Sequence, residues 1–246
     1  MNISGKKAIV FGGTSGIGLS TTRILSEKGA SKIIAISRNP EKVKEVLPNV
    51  ELVKLDVLDE EGLRDFYKEQ GEFDILVNSA TGGARALGPF LNMDMEGYRN
   101  SFFKLWGYTN VVRYGTEYLN NDGCIVLVSG SPARNCRPGY IALSSVGGAV
   151  EAFARGIAKE INPKRINVVS PGTIDTPMSP LEGKERNDFY QNATKANLIP
   201  RAGTPEEVAQ GIIFAIENDF ITGTTIDVDG GWVLSWKAKL SFLAQY

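Results

Sequence analysis

The chain has 246 residues, 42% of them hydrophobic, enough for one α/β domain with a full core. Its 27 Lys and Arg against 28 Asp and Glu leave a formal net charge of −1, so nothing in the charge points to nucleic acid or an anionic membrane surface as a partner. Histidine is absent, which excludes a Ser-His-Asp triad, a Cys-His pair and a His-ligated metal. The opening "MNISGKKAIVF" has no apolar run long enough for a signal peptide, and no run reaches the ~20 residues of a membrane span. Strand-like runs then follow at 7–11, 32–37, 51–55, 73–79, 123–129, 165–170 and 224–229. Helical patterns separate them near 16–28, 40–46, 60–69, 97–119, 140–161 and 205–217. Continuous apolar strands are buried on both faces, so the alternation predicts a doubly wound parallel sheet with helices on each side. Thr204-Pro205-Glu206-Glu207 is a strong helix start: an N-cap Thr, Pro at the first helical position, then acids. The stretch 176–200 carries no clear pattern and is expected to cover a ligand crevice as a lid. Cys124 in a strand and Cys136 in a loop read as reduced thiols of a cytoplasmic protein.

The first strand and helix are joined by "IVFGGTSGIG". Gly12, Gly16 and Gly18 let the backbone turn tightly and approach a pyrophosphate, whose charge sits on the helix N-terminus. The strand–turn–helix context gives this Gly-rich turn its meaning.

The G-x-x-x-G-x-G spacing resembles that of the short-chain dehydrogenase/reductase family, and further matches follow in order. Asp56-Val57 ends the third strand. "NSAT" (78–81) stands where the family has N-N-A-G, "RINVVSPGTIDTPM" (165–178) resembles its R-V-N-x-V-x-P-G segment, and "IDVDGGW" (226–232) its V-D-G-G. The resemblance covers essentially the whole chain. It implies a Rossmann-type seven-stranded sheet in the order 3-2-1-4-5-6-7 and a dinucleotide across the strands' carboxyl ends. Carried over by position, Gly12, Thr14, Ser15, Gly16, Ile17 and Gly18 hold the phosphates. Asp56 and Val57 contact adenine, and Asn78 and Ala80 the adenosine ribose side. Pro171, Gly172, Ile174 and Thr176 frame the nicotinamide. The second strand ends Ser37-Arg38, where an acid would bind a ribose 2′-hydroxyl. A guanidinium there suits a 2′-phosphate, which favours NADP(H) over NAD(H). A solvated loop Arg is the competing reading.

Family members usually carry an Asn-Ser-Tyr-Lys tetrad. Here "GAVEAFARGIAKEI" (148–161) matches the stretch after the Lys. That register places Gly147 at the Lys position, Leu143 at the Tyr, Gly130 at the Ser and Lys104 at the Asn. All four are replaced, and no Y-x-x-x-K occurs in 139–161. The two glycines and Leu143 predict a larger, more apolar pocket.

Lys104 is the sharpest catalytic candidate, since its ammonium can enter the space that Gly147 leaves; a solvated Lys is the alternative. Arg134, Arg137 and Arg85 are candidates for an anionic group, each weighed against a solvated loop charge. Asp175 is a candidate base or cation stabiliser, with a structural role the better reading. Tyr190 is expected on the lid. The aromatic tail 232–246 reads as core, lid or subunit contact, with a contact in a homodimer or homotetramer the favoured reading. The sequence thus predicts an NADP(H)-binding oxidoreductase with an atypical active site, acting on a small molecule. The alternative is an inactive relative that only binds a cofactor or a partner.

Overall fold

A computed structural model describes residues 1–81 and 85–235. Its strands are β1 (Lys7–Phe11), β2 (Lys32–Ser37), β3 (Val50–Lys54), β4 (Phe73–Asn78), β5 (Leu119–Val128), β6 (Arg165–Pro171) and β7 (Thr225–Val228). They form one seven-stranded sheet in the order β3-β2-β1-β4-β5-β6-β7, with every pairing parallel. Alternate residues of each strand feed opposite faces, as the period of two requires. On one face Ile9, Phe11, Leu76 and Ile125 pack under α2 (Glu60–Gln70), α4 (Phe103–Gly115) and α5 (Ile141–Ile157). On the other, Ala8, Val10, Val77 and Val126 pack under α1 (Gly16–Glu27) and α7 (Pro205–Glu217). Burying each such aliphatic chain contributes roughly 1.5–3 kcal/mol, which is what closes the sheet between its helices.

The register levels the strand ends. Phe11 pairs with Ile36 on one side and Asn78 on the other. The strand order reverses on either side of β1, and a crevice opens there outside the carboxyl ends.

Three segments differ from the sequence expectation. The pattern at 40–46 yields only a 3-10 turn at Pro40–Lys42. No residue from 40 to 48 is buried, so a helix there has no face to pack, and an isolated short helix is marginal. The single helix expected at 97–119 is two, α3 (Met95–Ser101) and α4, meeting at Phe102. Ser101 Oγ donates to the Gly97 carbonyl and accepts from Ala86 N, which ends the first helix on a side-chain bond. Within 176–200 lies α6 (Gly183–Thr194), of which only Tyr190 and Thr194 are buried. Of the tail, 236–246 lies outside the described residues, while Trp232 is buried.

Candidate active site

At the carboxyl ends of the strands lies a cleft of about 620 Å³. Its floor is the β1–α1 turn. Gly12 has φ +77°, and a Cβ there would lie 2.7 Å from Ser79 Oγ. A Cβ on Gly18 would lie 2.1 Å from the Gly12 carbonyl oxygen. Only glycine lets strand, turn and helix approach this closely. Ser15 caps α1 without a side-chain hydrogen bond, and the first turn holds no acid. Its N–H groups are left facing the cleft with their positive dipole end, a fit for a phosphate.

The sequence-predicted cofactor residues line this cleft, with one exception. Asn78 is fully buried behind the wall, where its Oδ1 accepts from Ala80 N at 3.1 Å. It therefore shapes the turn that carries Ala80. At the far end, Arg38 is exposed on the rim and pairs with no acid among the described residues. Beside it, Ser37 Oγ is buried with no hydrogen-bond partner. Sequence reasoning passed over Ser37, because a Ser at a strand end carries no signal of its own.

The four positions that replace the family's tetrad, Lys104, Gly130, Leu143 and Gly147, converge on the same cleft. The Lys104 side chain turns inward from the first turn of α4. Its Nζ donates to the Ser129 carbonyl at 3.2 Å and lies 5.4 Å from the centre of the Tyr108 ring. Burial, and secondarily the charge of Arg85, push its pKa down to about 8. The room left by the lost side chains is uneven. A Cβ on Gly130 would have only Pro132 Cδ within 4 Å, at 3.6 Å. At Gly147 it would meet Ala133 Cβ at 3.0 Å and Ser129 Oγ at 3.1 Å. Ser129 Oγ donates to the Gly147 carbonyl, so part of the vacated Lys position is already taken.

Two catalytic candidates do not line the cleft. Asp175 is held by Arg186 of α6, whose Nε lies 2.9 Å from its Oδ1. The same guanidinium donates to the carbonyls of Thr176, Ser179 and Leu181, at 2.8, 2.9 and 2.9 Å. Asp175 is thus part of a clamp that folds the segment 176–200. Arg134 pairs with Asp227 and lies 3.6 Å from buried Glu151, tying α5 to β7. Arg137 also has a packing role: it stacks 3.4 Å over the Trp232 ring and donates to Asn197 and Ser235. Arg85, by contrast, lines the cleft mouth against Met178 of the lid segment. Tyr190 lines it too, as does Tyr140, whose ring meets Trp232 edge-on at 5.9 Å. Arg186 was not legible as a site residue, because nothing in a loop sequence marks which nearby carbonyls a guanidinium will gather.

Comparison with known proteins agrees with this architecture. The model of the family described as Enoyl-(Acyl carrier protein) reductase matches residues 12–233. The 3-oxoacyl-(acyl-carrier-protein) reductase FabG of Thermotoga maritima is 32% identical, over 95% of this chain and 100% of that protein. L-xylulose reductase of Mus musculus is 29% identical, over 95% and 98%. Among solved structures, a small-chain dehydrogenase in complex with NADPH superposes with a TM-score of 0.79 at 27% identity, covering 93% of this chain and 99% of that one.

Proposed function

This chain belongs to the short-chain dehydrogenase/reductase family, and we propose that it is an NADP(H)-dependent oxidoreductase in which Lys104 stands in for the missing tyrosine. The cradle of Gly12, Ser15 and Gly18 would hold the pyrophosphate, with Ser37 and Arg38 at the 2′-phosphate. When bound there, the dinucleotide supplies the hydride. The chain's own part is to hold the substrate against Leu143 and Tyr190 under the lid, exclude water, and provide the proton.

Lys104 carries this reading. An ammonium whose pKa lies near 8 gives up a proton far more readily than an ordinary Lys, and a donor is most effective when its pKa lies near the working pH. The Ser129 carbonyl fixes its direction, and the Tyr108 ring lies beside it. A protein that only bound a cofactor would need the cradle but not a cation in the substrate half, so Lys104 weighs toward turnover. The experiment is Lys104→Met. It is expected to lower turnover by ~10²–10⁴ while the NADPH dissociation constant changes by no more than a few-fold. Unchanged turnover would remove Lys104 from the mechanism.

The proposal extends to a homodimer or homotetramer. What supports it is the apolar face of α4, where Phe103 is 42% and Trp106 58% exposed. Light scattering that gives a monomer at micromolar concentration would contradict it.

A further inference from the structure

We propose that the substrate half of this cleft recognises a carboxylate on an apolar body, with the Arg85 guanidinium as the carboxylate's partner. The inference names a substrate class and rests on the oxidoreductase reading above.

The walls of this half are apolar: Leu87, Leu143, Val146, Met178, Leu181 and Phe189 all face it. Four charged side chains line the whole cleft: Arg38, Asp56, Arg85 and Lys104. Arg38 and Asp56 lie at the adenosine end. The substrate half is left with two cations and no anion among the described residues. Asp175, just before the segment 176–200, does not line the cleft and is held by Arg186. Among the described residues Lys104 has only a carbonyl and an aromatic ring as partners, and the charge of Arg85 is close enough to disfavour its protonated form. Arg85 is exposed at the mouth and Lys104 lies deeper; two like charges beside an apolar wall without a counter-ion repel one another, and a bound anion offsets that repulsion.

A neutral sugar or simple ketone offers no charge to answer these groups. A planar carboxylate does, because the guanidinium fork matches its two oxygens. Arg85 sits at the mouth beside Met178, so the carboxylate would be held outermost and the apolar body would extend along Leu143 and Val146.

The test uses non-reacting ligands, so it does not depend on turnover. NADPH-loaded protein is titrated with benzoate, hexanoate and 4-phenylbutanoate, and with the primary amide of each. The readout is the fluorescence of bound NADPH. At least one acid is expected to bind about tenfold tighter than its amide, the scale of one charge-assisted pair. Arg85→Gln is expected to bring that ratio close to one, with NADPH affinity unchanged within about twofold. Equal binding of acids and amides, no binding of either, or a preference that survives Arg85→Gln overturns the inference. If NADPH does not bind at all, the oxidoreductase reading fails by itself. The acid-to-amide ratio is then read on the free protein from tryptophan fluorescence, since Trp232 lines the same cleft, and the same outcomes decide it.

Discussion

Lys104 shows how much one side chain takes on when its neighbours are lost. Its folded-state pKa of about 8 lies below the ordinary 10.5, so folding disfavours the ammonium. Between those two values the unfolded chain binds a proton that the folded chain releases, and stability rises with pH across that window. Below about pH 8 the folded protein bears the full cost, on the order of 3 kcal/mol from the displacement. Lys104→Met keeps the aliphatic stem and removes the charge, but strands the Ser129 carbonyl, which gives back about 1 kcal/mol or more. The variant is expected to melt a few degrees higher than the parent at pH 7, with the gap closing toward pH 10.5. A lower melting temperature at pH 7 would show that the ammonium is well satisfied where it sits. At the opposite end of the cleft, NADPH is expected to bind at least several-fold tighter than NADH. Arg38→Asp should reverse that order, because a carboxylate repels the 2′-phosphate and accepts from a 2′-hydroxyl. Equal affinities in a fluorescence titration would contradict it. The place of Arg38 on the cleft rim was legible from its position at a strand end. The pairing of Arg134 with Asp227 was not, because the two are 93 residues apart in the chain.

At the scale of elements, local chemistry decided what could be read. Thr204-Pro205-Glu206-Glu207 forms a complete capping box: Glu207 N donates to Thr204 Oγ1 at 3.2 Å, and Thr204 N to Glu207 Oε2 at 2.8 Å. Thr204→Ala is expected to cost about 1 kcal/mol and lower the melting temperature by roughly 2–4 °C. A change within error would mean that α7 is held by its packing on α1 and the sheet alone. Arg201 and the cap hold the Glu207 carboxyl down to about 2, so this contribution is present above the ordinary carboxylate range and is lost as pH falls toward 2. The segment 176–200 was harder to read. Helix α6 has Glu182 as its N-cap without a side-chain cap bond and carries few apolar residues, so neither start signal nor periodicity marks it. What folds it is the Arg186 clamp on Asp175 and three carbonyls. Arg186→Met is expected to speed limited proteolysis within 176–200 and to raise KM for the substrate several-fold, leaving the NADPH dissociation constant nearly unchanged. A cleavage rate and KM equal to the parent's would show that this segment holds without the clamp. The misread segment 40–46 makes the converse point. Its residues favour a turn of helix, but with no face buried, propensity alone does not carry it.

For the whole molecule, strand order and crevice were legible because they follow from a repeated unit, the β-strand followed by a crossover, and from the Gly-rich turn at its first repeat. The resemblance placed Lys104, Gly130, Leu143 and Gly147 by register alone, and the fold brings the four to one cleft. Which way Lys104 points was not readable, since it depends on the Ser129 carbonyl at the end of β5 and on Arg85 after β4. The central claim is that this cleft transfers hydride with an ammonium as proton donor. The most direct test is to mix NADPH-loaded protein with a panel of aryl and alkyl oxo-carboxylates and follow the loss of reduced-nicotinamide absorbance as a function of pH. The proposed donor is Lys104, whose ammonium has the charge of Arg85 and the Tyr108 ring beside it. The account predicts oxidation of bound NADPH by at least one compound, at a rate that falls as pH rises through about 8. NADPH that binds tightly yet is oxidised by none of them, or a rate that rises through that pH, would contradict it.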